Sequence, residues 1–300
     1  LLLAIAYGVF IVFSLHLQFS LGSGDINAYT EFFAEDGNAP TAFSIRGDYA
    51  FRISIFWLTT YFDTTPLLVL SYLAFIISSF IFYLYLINIR SKKYFFYILP
   101  LFLMIFFTPN VQILFSSGVR SGIAFVILLA GFISSRRLVR FSLFGLSSFI
   151  HLSMLPILAL YFLFHFIHNK KISTPFIFSL IILIGSSIIL AFGSTRVHFI
   201  DIDSASFAYN LIISYVALMM IFVNKKALKD LYGFLSVGLI LIYLSGLLIE
   251  SSFIRYVGNA IILYLFFIIK KGEIGTIQLF SLGYIPFFLL TLYYSIANWF

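Results

Sequence analysis

Apolar runs of membrane-crossing length follow one another almost from end to end of this 300-residue chain. A bilayer's hydrocarbon layer is ~30 Å thick and an α-helix rises ~1.5 Å per residue, so ~20 mainly apolar residues cross it. With 62% hydrophobic residues, 10% charged residues and a mean hydropathy of +1.10, no segment is long enough or polar enough to form a separate soluble domain. The expected fold is all-α: a polytopic integral membrane protein with a single transmembrane domain over residues 1–300.

Windows between charge clusters place spans at Leu1 to Leu21, Pro66 to Ile89, Tyr94 to Phe107 and Val111 to Ser134. Others follow at Pro175 to Phe192, Ala208 to Val223, Leu231 to Ile249, Phe253 to Ile269 and Thr276 to Asn298. Phe141 to Ile167 is too long for one upright span, too short for two, and carries Pro156. It is read as a re-entrant segment or hairpin in addition to about ten transmembrane helices. The chain opens at Leu1 without Met or a basic leader, so the numbering is expected to start inside the first span. The absence of Cys excludes disulfides and thiolate metal sites.

Orientation follows from charge, because Lys and Arg concentrate in short cytoplasmic loops. With the 141–167 stretch taken as a hairpin, 13 of the 18 basic residues fall inside: Arg90, Lys92 and Lys93; Arg136, Arg137 and Arg140; Lys170 and Lys171; Lys225, Lys226 and Lys229; Lys270 and Lys271. The outer five, Arg46, Arg52, Arg120, Arg196 and Arg255, are all arginines, while every lysine is inside. Retention needs only positive charge, whereas planar guanidiniums suit phosphate or carboxylate oxygens. The simpler account pairs each with an outer acid, among them Asp25, Asp48, Asp201, Asp203 and Glu250. The long polar loop Gly22 to Thr65 is outside too, and its Phe51 to Phe62 portion reads as an interfacial segment with Trp57 and Tyr61.

Arg120 is read about nine residues into its span among Ser116, Ser117, Gly118, Ser121 and Gly122, a depth at which a charge calls for a function. Gly118 and Gly122 by themselves read as a small-xxx-small packing pair. His151 lies ten residues into the hairpin near Ser147, Ser148 and Ser153, where an imidazole can take a proton from a hydroxyl or serve as a hydrogen-bonded structural residue. Asp25 and Tyr29, one turn apart after the first span, suit sugar hydroxyls or a helix cap; Glu250, Arg255 and Tyr256 form a similar polar patch. Asp201 and Asp203 match a metal-binding acid pair in two residues only, and no Walker loop, zinc-helix signature or Gly-x-Ser-x-Gly elbow occurs.

In that order the motifs resemble the EpsG-like branch of the Wzy-type polymerases, bacterial inner-membrane proteins that join lipid-linked repeat units into O-antigen, capsule or exopolysaccharide. The resemblance rests on Gly24-Asp25 to Tyr29, on Arg120-Ser-Gly-Ile-Ala124, on Phe149-Ile-His151-Leu-Ser153 and on Arg255-Tyr256. Gln18-Phe19, where an arginine is expected, and Asp48, where members often have glutamate, depart from the pattern. The resemblance implies a glycosyltransferase that needs no metal or other cofactor. It would move a growing glycan from undecaprenyl pyrophosphate onto another lipid-linked repeat unit at the periplasmic face. Arg120, with Arg255, Arg46 and Arg196, would clamp the pyrophosphate, and His151 or Asp25 would act as base. Tyr29, Asp48, Tyr256 and Glu250 would bind the saccharide. Expected partners are the lipid-linked oligosaccharide, membrane lipid, a chain-length regulator and other assembly proteins, not nucleic acid. A flippase, an O-antigen ligase-like enzyme and an acyl-transferring membrane enzyme are the alternatives; the flippase would want symmetric repeats, and none is evident.

Overall fold

Ala4, Tyr7, Ile11 and Leu15 are buried, while Leu2, Ile5, Val9 and Phe13 between them face outward. That spacing is helical, yet both faces are apolar. Phe13 is 67% exposed and Tyr7 2%, so the outward face presents a hydrophobic surface that none of the described residues covers, as lipid-facing helices do. This computed structural model describes residues 1–20, 49–89, 92–116, 118–170, 213–221, 227–246 and 254–297. Every regular element among them is helical.

The helices are α1 (Leu2–Ser20), α2 (Tyr49–Phe62), α3 (Pro66–Ile87), α4 (Lys92–Phe106), α5 (Pro109–Phe115), α6 (Val119–Ile133), α7 (Arg137–Ile150) and α8 (Leu155–Lys170). A helical stretch over 213–221 is followed by α9 (Leu231–Gly246), α10 (Ile254–Lys271) and α11 (Ile274–Ala297). Two compact units form: residues 1–87 with 112–155, and 88–111 with 156–300.

In the first unit α1 packs along α3, α6 along α7, and α3 touches α6. A Cβ on Gly8 would collide with the Ser79 hydroxyl, so glycine there lets α1 and α3 approach closely. His16 and Ser71 add a 3.0 Å hydrogen bond between the same helices. The Ser71 hydroxyl also lies 2.7 Å from the Leu67 carbonyl of its own helix. α2 buries Phe51 and Ile55 and exposes Trp57, Tyr61 and Phe62, the amphipathic pattern of an interfacial helix.

In the second unit α10 is buried on every side from Tyr256 to Ile269. It pairs with α9, where Ser236 Oγ donates to the Ala260 carbonyl at 2.6 Å. α11 packs on α4, and the Thr108 and Tyr284 hydroxyls bond at 3.0 Å. At one end Asp230 caps α9 through the Tyr232 amide at 3.0 Å and pairs with Lys271 at 2.7 Å.

Among the described residues, three helices are long and apolar enough to cross a membrane: Leu2–Ser20, Pro66–Ile87 and Ile274–Tyr293. A fourth span arises if Tyr94–Phe106 and Pro109–Phe115, bent by 69° at their break, count as one. Val111 to Ser134 is not the continuous span expected from hydropathy. Proline at 109 disfavours helix in the residue before it and opens α5 afresh. That helix closes at Phe115 with a bond from the Gly118 amide to the Ile113 carbonyl, and α6 starts at Val119. The Phe141 to Ile167 stretch is likewise two helices, with His151 to Met154 between them and Pro156 in the first turn of α8. Pro175 to Phe192 lies outside the described residues.

Candidate functional site

The α6–α7 pair is an antiparallel hairpin turned at Ser134 to Arg136, and its register can be read from three contacts. Near the turn the Phe132 and Phe144 rings meet at 5.4 Å, and Gly131 leaves room for Phe144, whose ring a Cβ there would meet at 2.7 Å. Two turns further from the bend, Ser147 Oγ donates to the Ala124 carbonyl at 2.7 Å. One more turn along each helix, four residues before Ala124 and four after Ser147, brings Arg120 and His151 level at the open end.

The opposite end holds the arginine cluster. There Arg140 Nη2 and Nε donate to the Ser134 carbonyl at 2.7 and 3.2 Å, closing α6 through its terminal carbonyl. One hairpin thus carries a basic, structurally committed end and a second end with an arginine and a histidine. α9 and α10 also pair antiparallel, with Lys271 at one end, Arg255 and Tyr256 opening α10 at the other, and the serine-to-carbonyl bond of Ser236 between them.

Arg120 is not deep within a continuous span. It is the second residue of α6, half-buried, with its Nε enclosed. The glycines around it serve α5 rather than another helix face. A Cβ on Gly118 would stand 2.7 Å from the Ile113 carbonyl oxygen, and one on Gly122 would collide with the Leu114 carbonyl oxygen. The small residues let α5 fold back against the first turn of α6, so the close packing they permit is with α5. Ser116, in the break, donates to Gln112 O at 2.9 Å and to Gln18 Oε1 at 3.3 Å, which ties the break to the last turn of α1.

His151 ends α7 in extended backbone, φ −152° and ψ 116°, and both ring nitrogens are enclosed. Among the described residues, the buried Oγ atoms of Ser14, Ser121 and Ser148 make no hydrogen bond. A guanidinium can bind an anion and an imidazole can accept a proton.

Arg120, at the start of α6, and His151, at the end of α7, both belong to the first unit, while Arg255 and Tyr256 open α10 in the second, where Tyr256 is buried. Asp25, Tyr29, Arg46, Asp48, Arg196 and Glu250, with Asp201 and Asp203, lie outside the described residues. Two polar residues escape the sequence reading as site members: Gln18, whose burial ties it to Ser116, and Asn259, 1% exposed on α10. Each is an amide inside an apolar run, and that is the signal by which sequence could find them. No protein-family model, curated protein or solved structure matches this chain.

Proposed function

We propose that the protein is a membrane glycosyltransferase of the repeat-unit polymerase kind, with about ten spans and its site on the periplasmic side of a bacterial inner membrane. The observation that carries this reading is the hairpin register. Ser147 bonded to Ala124 sets Arg120 level with His151, at the end away from Arg136, Arg137 and Arg140. If the basic end is cytoplasmic, the Arg120 and His151 end faces outward, where lipid-linked repeat units are joined.

The chemistry follows from the two side chains. An acceptor sugar hydroxyl attacks the anomeric carbon of the lipid-linked glycan, and the bond from that carbon to the pyrophosphate oxygen breaks. The hydroxyl proton passes to the His151 imidazole, and the electron pair leaves on the pyrophosphate, whose growing charge Arg120 neutralises. Arg255, Arg46 and Arg196 are proposed helpers, and Asp25, Tyr29, Asp48, Tyr256 and Glu250 proposed saccharide contacts.

Glycan ladders from deletion cells complemented with wild type, Arg120→Ala or His151→Ala at matched membrane levels test this. A lipid core carrying one repeat unit, without longer rungs, is the expected result for both variants. Loss of even the single unit on deletion overturns it in favour of a flippase or ligase.

A further inference from the structure

The first turn of α6 has the parts of a phosphate site. Its N-cap is Gly118, which offers no side-chain hydrogen bond. The intrahelical ladder starts with the Gly122 amide on the Gly118 carbonyl, so the amides of Val119 and Ser121 precede it and point out of the helix start. Val119 is 2% and Ser121 1% exposed, so these donors are shielded from water. A helix start of this kind carries partial positive charge, and Arg120 adds a full one.

The independent sign is Ser121 itself. Its Oγ is buried and makes no hydrogen bond among the described residues, a costly state for a hydroxyl in an apolar protein. Helical Cα–Cβ bonds lean toward the N-terminus, so this hydroxyl is directed to the same end as the first-turn amides. Ser148, with an equally unsatisfied buried Oγ, stands one turn before His151 on α7.

We propose that the first turn of α6 is a phosphate subsite in which Ser121 Oγ and the Val119 and Ser121 amides take the oxygens of a phosphate ester or pyrophosphate beside Arg120. It rests on the proposed reading only for the identity of the natural ligand. Ser121 is the further binding residue it adds.

The test uses the full chain in detergent with farnesyl pyrophosphate, farnesol and inorganic pyrophosphate as probes, reading melting midpoint and apparent Kd. Ser121→Ala without ligand melts at or slightly above wild type, because no bond is lost. Its affinity for farnesyl pyrophosphate falls about tenfold, the worth of one hydrogen bond to a charged group. Farnesol shifts neither protein. Unchanged affinity in Ser121→Ala overturns the subsite, as does a midpoint several degrees lower without ligand, which would make the hydroxyl structural. Farnesyl pyrophosphate binding ahead of inorganic pyrophosphate marks a lipid ligand and the reverse order a soluble anion; loss at Ser121→Ala supports the subsite in both cases. Probe binding lost at Ser121→Ala, in a protein whose deletion removes even the single repeat unit, keeps the subsite and sinks the polymerase reading alone.

Discussion

Gln18 Oε1 accepts a 3.3 Å hydrogen bond from Ser116 Oγ, joining the last turn of α1 to the short break that delivers Arg120. Ser116 also holds Gln112 O, so the contact is shared and weak by itself. Its consequence is positional: α1 fixes the point from which α6 starts.

Gln18→Leu keeps the volume and removes the acceptor. Loss of stability should stay near ~1 kcal/mol, the usual scale for one membrane-protein hydrogen bond. The glycan ladder should shorten more than that loss explains. Melting midpoints alongside ladders at matched membrane levels decide it, and an unshortened ladder would remove the positional role.

Glycines in the hairpin separate cleanly. At Gly122 an added Cβ runs into the Leu114 backbone oxygen, which cannot swing aside as a side chain can. Gly122→Ala should cost about 1–3 kcal/mol through forced backbone shifts. Gly145, by contrast, lies inside α7 with open space where a Cβ would stand, nothing coming within 4 Å. Gly145→Ala should stabilise by about 0.5–1 kcal/mol through helix propensity alone. Thermal unfolding of the two variants in one detergent should move in opposite directions.

Hydropathy finds α1, α3 and α11 nearly to their ends because each is a long apolar run with no internal breaker that wins: even Pro286 sits inside α11. It cannot find the break at 116–118, because average hydropathy is blind to a turn made of Ser and Gly inside an apolar window. Gly118 looks like a contact surface in the sequence, whereas its role is to let α5 double back. The pairing of Arg120 with His151 is likewise out of reach. Each stands out by itself, but their levelling depends on a hairpin register that Ser147, Gly131 and Phe144 set together.

Asp230 does two jobs, capping α9 and pairing with Lys271, and substitutions can part them. Asp230→Asn keeps an acceptor for the Tyr232 amide and loses a pair whose lysine is 61% exposed, so it should cost well under ~1 kcal/mol. Asp230→Ala loses the cap too, adding about 0.5–2 kcal/mol. Equal melting midpoints for the two would show that the cap contributes nothing.

Lys270 makes a pH prediction at the same corner. Its ammonium lies 4.9 Å from the Tyr232 ring centre and 4.7 Å from that of Phe266. Burial lowers its pKa, Asp230 opposes this, and Lys271 adds to it. With the folded value depressed, the unfolded chain holds the proton more firmly. This group's contribution is therefore greatest above the unfolded pKa and is lost as pH falls through the folded one. Lys270→Gln should flatten the rise in stability between neutral pH and the usual lysine range, in melts at stepped pH; an unchanged slope would assign it elsewhere.

Asn259 offers the sharpest separation of stability from function. It is 1% exposed within α10, and its Oδ1 makes no hydrogen bond among the described residues. An unsatisfied buried carbonyl opposes folding by about 1–3 kcal/mol, so a leucine of similar volume should be tolerated or should raise the melting midpoint. Asn259 also stands one helical turn after Arg255, which opens the same helix beside Tyr256. Polar groups inside apolar helices are candidates for binding, and a role of Asn259 in the proposed function predicts a separation of stability from activity. Asn259→Leu should therefore melt no lower than wild type and yet shorten the glycan ladder. A lower midpoint would mean that the amide holds the helices together, and a full ladder at equal or higher midpoint would mean that it serves neither purpose.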